Sequence, residues 1–256
     1  MPGPRRPRPA IRISLAAAPG YDVRVLQTEF AAEALGHCRL FAGMGQESLH
    51  AIARNLRARR FRRGEVLFHE GDPGDALFVV TSGAVKVVVP SEEGEEAILV
   101  TLRRGDFLGE LALLDGAPRS ASAIALEPTE ALTLPREQFR DLVASEPAIR
   151  DALLAALSGE LRRLTTHVAE LHFLDLTGRL AARLARLAEE HGERLADGAV
   201  RLDAPLTQSD LAAMIGATRQ SVNKLLGEFE AEGLLKIERD SIVVPNLVRL
   251  SSAAHR

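Results

Sequence analysis

The chain has 256 residues, 46% of them hydrophobic and 26% charged, with a formal net charge of −3 at pH 7. That is enough length and apolar content for two modest domains with their own cores. The near-zero charge excludes a globally basic nucleic-acid coat, so any nucleic-acid contact must come from a local patch.

Residues 1–20 carry Arg5, Arg6, Arg8 and Arg12 among five prolines. Such a stretch buries too little apolar surface to order itself. Residues 1–36 are therefore expected as a partly disordered extension, either a plain tail or an arm that touches DNA phosphates. Residues 21–37 can form a short leading helix. Residues 11–18 are too short and interrupted for a signal peptide, and no run reaches transmembrane length, so a cytoplasmic protein without membrane contact is expected. Cys38 is the only cysteine. That excludes an intramolecular disulfide and a four-cysteine iron–sulfur cluster. Beside His37 it could ligate haem, the plainer reading being a small semi-buried residue at a helix end. No metal or cofactor is expected.

Leu49, Ile52, Ala53 and Leu56 recur at helical spacing. The pattern then changes to short runs rich in Val, Ile, Leu and Phe at 66–68, 76–81, 84–89, 97–102, 121–126 and 131–134. Glycine turns such as Ser82-Gly83 and Arg104-Gly105-Asp106 separate them. Regular short strands with turn signals predict an antiparallel barrel or roll.

Residues 107–121 (FLGELALLDGAPRSA) gather a different set of groups. Gly109 lets the backbone pass close to a ligand, and the Glu110 carboxylate can accept from a sugar hydroxyl. Glu110 to Leu114 can form one helical turn whose free N–H groups face an anion. Arg119 supplies an always-charged fork for a phosphate, and Ser120 adds a hydroxyl. The segment resembles the phosphate-binding cassette of cyclic-nucleotide-binding domains. From about residue 40 onward the chain resembles the CRP/FNR family of bacterial transcription regulators. The resemblance implies a cyclic nucleotide, cyclic AMP ahead of cyclic GMP, held by Gly109, Glu110, Leu111, Ala112, Arg119 and Ser120, with Ala84 also assigned to the site.

Residues 136–144 read as a helix, and Pro147 can start the next at its first turn. Leu154, Leu157, Leu161, Leu164, Val168 and Leu171 follow at alternating gaps of three and four, a heptad seam. A helix packed only on its own domain could show the same spacing; its length between two domains favours a dimer. The resemblance makes this helix both a homodimer interface and a lid, with the base against Leu164 and Thr165. Two positions at the ligand end depart from the family, as does Gln220 further on, where a glutamate is common. Leu164 stands where its cyclic-AMP sensors usually carry a hydroxyl, and Glu160 where an arginine is common. Asp175 or Thr177 can cap a further helix after the interruption at 173–179, which the resemblance makes an interdomain hinge.

Thr207-Gln-Ser-Asp210 is a capping box. Leu211, Ala212 and Ile215 give the helix an apolar face, Gly216 ends it, and Thr218 can cap a second helix with Val222, Leu225, Leu226 and Phe229 inward. This is the spacing of a helix-turn-helix. Arg219, Gln220, Asn223 and Lys224 are then expected in the major groove, with Thr207, Thr218 and Ser221 on phosphates. Residues 234–237 and 241–244 predict a two-stranded wing.

The alternative is a regulator of the same kind that binds DNA without a nucleotide or whose roll senses another small molecule. Other classes fit less well. His167 and His172, five apart, do not share a helix face and make poor haem partners. An enzyme would need a base for Ser120, and no histidine lies beside it in sequence. A kinase-regulatory nucleotide sensor would have no use for a helix-turn-helix. The expected fold is α+β with two domains: an antiparallel β-roll at 37–146, a long dimerisation helix at 147–174 and a winged helix-turn-helix at 175–256. Expected partners are double-stranded DNA, a cyclic nucleotide, a second copy of the chain and RNA polymerase.

Overall fold

The computed structural model describes residues 23–91, 95–203, 206–238 and 241–254. The expectation for residues 1–20 lies outside the described residues. Helices α1 (Val23–Gly36) and α2 (Gln46–Ala53) pack together and bury Leu35, Cys38, Leu49 and Ile52.

Eight strands follow: β1 (Arg57–Phe61), β2 (Val66–Phe68), β3 (Ala76–Ser82), β4 (Ala84–Pro90), β5 (Glu96–Arg103), β6 (Phe107–Leu108), β7 (Ser122–Ala125) and β8 (Thr129–Pro135), with α3 (Glu110–Asp115) between β6 and β7. They form two four-stranded antiparallel sheets, ordered β1-β8-β3-β6 and β2-β7-β4-β5. Inward residues Phe61, Leu67, Phe78, Val80, Val85, Leu108 and Ala123 fill the space between them. This is the expected roll. Strand β1 is not among the expected strands. Its first four residues are exposed and only Phe61 turns inward, so its sequence lacks the apolar alternation that marks a half-buried strand.

Helix α4 (Arg136–Ser145) closes the roll, burying Phe139. Helix α5 (Pro147–Phe173) begins with proline at its first turn and buries only Ile149 and Leu153. Leu157 is half-buried against the same core, while Leu154, Leu161 and Val168 of the seam are 61%, 67% and 64% exposed in the single chain. Asp175 is the N-cap of α6 (Leu176–His191), its carboxylate accepting from the Gly178 N–H at 2.8 Å; of the two candidate caps, Asp175 takes the position.

Beyond α6 come β9 (Glu193–Arg194), β10 (Val200–Leu202), α7 (Gln208–Ile215), α8 (Arg219–Ala231), β11 (Lys236–Ile237), β12 (Ile242–Val244) and α9 (Leu247–Ala253). The wing is larger than its two expected strands. β9 and β10 extend it to a four-stranded sheet ordered β11-β12-β10-β9. Leu180, Leu184, Leu211, Ile215, Val222, Leu226 and Phe229 form its core with α6, and Val88 and Ile98 of the roll join the same cluster.

Candidate functional site

Strand β6 pairs with β3 at Phe78 and Val79 and delivers the chain to Gly109. Gly109 has φ 89°, a left-handed conformation that other residues resist. A side chain there would also run into Nη1 of Arg119. One glycine therefore turns the backbone into α3 and leaves room for the guanidinium.

Arg119 is 3% exposed. Its backbone N–H donates to the Asp72 carbonyl at 2.8 Å, and its carbonyl accepts from the Gly71 N–H at 2.9 Å, which pins the loop after α3 to the turn before β3. Nη1 donates to the Gly109 carbonyl at 2.6 Å, and Nη2 donates to the Ala76 carbonyl at 2.7 Å and to Asp75 Oδ1 at 3.4 Å. The guanidinium carbon lies 4.3 Å over the Phe68 ring. The buried Nε has no hydrogen-bond partner among the described residues. Burial lowers the Arg119 pKa from its ordinary value, with Asp75 and Glu110 opposing.

Glu110 opens α3. Burial holds its carboxyl above the ordinary carboxylate value, the Glu160 charge adds to this, and a backbone N–H and Arg119 oppose it. Ser120 is exposed beside buried Arg119, Leu111 is exposed on α3, and Ala112 lies beneath it against Gly74. The structure thus brings Gly109, Glu110, Ala112, Arg119 and Ser120 to one end of β3. Ala84 is a correction. It sits past the opposite end of β3, fully buried, with its N–H donating to Thr129 Oγ1 at 3.2 Å. It has neither the place nor a free group to serve this site.

Leu164 and Thr165 are exposed on α5, and the Thr165 hydroxyl donates to the Leu161 carbonyl at 2.9 Å. The α5 residue whose charge acts on Glu110 is Glu160. Its carboxylate takes both Nε and Nη2 of Arg163, while Arg163 Nη1 donates to the Leu99 carbonyl of β5 at 2.9 Å. The arginine thereby ties the long helix to β5 of the roll.

Glu110 yields a pH prediction. A carboxyl whose folded pKa is raised contributes stability below its unfolded value near 4.5, and loses it as pH rises through the folded value. Glu110→Gln is therefore expected to melt higher than wild type near neutral pH, with the gap closing below about pH 4.5. Thermal melts across pH 4 to 7.5 check this.

At the other end of the chain, Thr207 Oγ1 accepts from the Asp210 N–H at 3.1 Å and the Asp210 carboxylate accepts from the Thr207 N–H at 2.8 Å, a complete capping box on α7. Gly216 ends α7 at φ 65°. Thr218 caps α8, accepting from the Ser221 N–H at 3.2 Å. Val222 is fully buried between the helices. Arg219, Gln220, Asn223 and Lys224 are exposed together on α8, and Gln208 Nε2 donates to Asn223 Oδ1 at 2.9 Å. Thr207 and Thr218 are exposed and Ser221 is half-buried.

Cys38 is buried, and burial pushes its thiol up to about 11, away from the thiolate that a metal takes. Among the described residues no group of three or more His, Cys, Asp or Glu side chains is placed to hold a metal ion, and no helix is long and apolar enough to cross a membrane.

Two family models match the chain: a cyclic nucleotide-binding domain over residues 58–146 and a Crp-like helix-turn-helix domain over residues 178–253. The chain is 34% identical over 222 residues to the CRP-like cAMP-activated global transcriptional regulator of Mycobacterium tuberculosis, covering 87% of this chain and 99% of that one. It is 32% identical to the cyclic AMP receptor protein of Thermus thermophilus, covering 84% and 96%. A solved transcriptional regulator of the CRP/FNR family, also from Thermus thermophilus, superposes with a TM-score of 0.64 at 30% identity, over 78% of this chain and 99% of that one.

Proposed function

Because this chain belongs to the CRP/FNR family of transcription regulators, non-enzymatic proteins with a nucleotide-binding roll and a DNA-binding helix-turn-helix, we propose that it acts as a homodimer whose binding to a palindromic DNA site is gated by cyclic AMP. The observation that carries the reading is the packing of Arg119 against Gly109 and beside Glu110. A fixed guanidinium, an exposed hydroxyl at Ser120 and a carboxylate lie at one end of β3, groups whose chemistry suits a cyclic phosphate and a ribose hydroxyl.

In this mechanism Glu110 accepts from the ribose, Arg119 and Ser120 hold the cyclic phosphate, and the base lies against α5 near Leu164 and Thr165. The ligand binds one arrangement of α5 better than another and so shifts an existing equilibrium. The hinge at Asp175 transmits the shift to α7 and α8. Arg219, Gln220, Asn223 and Lys224 read base edges, while Thr207, Thr218 and Ser221 contact phosphates. The two recognition helices enter successive major grooves roughly 34 Å apart. Cyclic AMP is preferred because the Mycobacterium and Thermus relatives are named for it. RNA polymerase in the cytoplasm is the partner through which a bound dimer acts on transcription.

Calorimetric titration with cyclic AMP, cyclic GMP and 5′-AMP tests the effector. Saturable binding is expected for cyclic AMP, weaker binding for cyclic GMP and none for the open monophosphate. Absence of binding by any cyclic nucleotide would overturn the reading.

A further inference from the structure

The helix-turn-helix unit does not hang free from the hinge. Helix α7 lies on β5, and Val88 of β4 and Ile98 of β5 share a buried cluster with Leu211, Met214 and Ile215, against which Ile124 packs. Beside this apolar contact, Lys86 on β4 reaches Glu96 on β5 (Nζ–Oε2 2.7 Å) and Asp210 on α7 (Nζ–Oδ1 3.3 Å). The Lys86 and Asp210 side chains are only 16% and 11% exposed. The pair is thus shielded from the solvent screening that makes surface ion pairs nearly worthless. Burial works against the lysine charge, and the two carboxylates more than offset it, so its pKa stands above the ordinary value.

Asp210 is also the carboxylate of the capping box. It accepts from the Thr207 N–H at 2.8 Å and from the Thr207 hydroxyl at 2.7 Å. A carboxylate with these further donors is fixed in direction, so its link to Lys86 acts on α7 as a whole. Arg103 Nη2 donates to the Asp203 carbonyl at 3.4 Å and adds a second tie ahead of α7. In this docked arrangement Thr207, Thr218, Arg219, Gln220, Asn223 and Lys224 are all exposed. The contact leaves the DNA-reading face open, so it does not work by covering it.

We propose that Lys86 is a positioning residue for DNA binding: through Asp210 it holds the helix-turn-helix unit on the β4–β5 sheet in an orientation that engages DNA. The inference rests on α7 and α8 being the DNA-binding unit. Two recognition helices must meet the duplex at one spacing. A unit free to swing about the hinge loses that freedom on binding, and a strut that fixes it beforehand removes part of the cost.

Lys86→Met keeps the apolar stem and removes the charge. The probe is a labelled palindromic duplex selected by the wild type from a random library, titrated at saturating cyclic AMP. The expected result is roughly tenfold weaker DNA binding, within the range for coupled pairs, with cyclic AMP affinity unchanged. Lys86→Arg should restore binding, and Lys86→Met combined with Asp210→Asn should be no worse than either alone. Amide exchange should quicken in 96–103 and 208–215 of Lys86→Met, a local release that a general loss of stability would not confine to those segments. Should Lys86→Met fail to fold, Lys86→Gln takes its place. Unchanged DNA affinity, or a gain in DNA binding without nucleotide, overturns the proposal. A wild type that selects no duplex refutes the DNA-binding reading instead, and amide exchange then still decides whether Lys86 holds the docked unit.

Discussion

Arg119→Ala is expected to abolish measurable cyclic-nucleotide binding and to destabilise the roll by about 2–4 kcal/mol. The two effects have separate causes. The guanidinium is the buried positive charge next to Glu110, and removing it takes away the fork that a cyclic phosphate needs. It also donates to the Gly109 and Ala76 carbonyls, and its loss leaves both without that donor inside the roll. Hydrogen bonds from a charged group contribute about 1.5–3 kcal/mol each. The Asp75 contact adds little, because its carboxylate is 86% exposed. Lysine should not rescue either property, since one ammonium cannot serve both carbonyls and stack flat over Phe68. Ser120→Ala provides the contrast: losing an exposed hydroxyl should weaken the nucleotide without lowering the urea midpoint. Urea denaturation and calorimetry on the three variants separate the effects. Tight nucleotide binding by Arg119→Ala would contradict the site.

The second large effect is expected on α5. If α5 forms the proposed homodimer interface, Val168→Glu should leave a monomer and weaken binding to the proposed palindromic duplex by at least about a hundredfold, since each buried apolar side chain is worth about 1.5–3 kcal/mol and is lost from both copies. Leu154, Leu161, Val168 and Phe173 are 61%, 67%, 64% and 79% exposed in the single chain. Leu154, Leu161 and Val168 are seven apart, one exposed apolar row of a heptad seam, and Phe173 adds a further exposed ring at the end of the helix. Leu161→Glu should act alike. Leu153→Glu should unfold the domain instead, because Leu153 is buried against the roll. Sedimentation velocity distinguishes these outcomes, and a Val168→Glu protein that remains dimeric would show that the partner covers another face.

Much of this is legible in the sequence because the groups that act together are close in the chain. Gly109 to Ser120 is one turn of helix and a loop, and the Thr207–Asp210 capping box spans four positions. The apolar strands show themselves through Val and Ile between glycine turns. Strand β1 does not, because four of its five residues face water as an arginine-rich edge. Strands β9 and β10 are too short to show a period. Ala84 is misplaced by sequence alone because an alanine carries no chemistry that ties it to a site. The second job of Arg119 is hidden since its acceptor at Ala76 lies 43 positions away. Lys86 is hidden further still: in the alternation of β4 it reads as a solvent-facing lysine, and its partner Asp210 is 124 positions distant. Local spacing encodes caps and cassettes; contacts between domains depend on how the hinge folds back.

The most direct test of ligand-gated DNA binding is fluorescence anisotropy of a labelled palindromic duplex, titrated with the protein in the presence and absence of saturating cyclic AMP. With gating, the nucleotide tightens binding by roughly ten- to a hundredfold in wild type, a typical coupling energy, and leaves Arg119→Ala unchanged. Equal affinity with and without nucleotide in the wild type would contradict it.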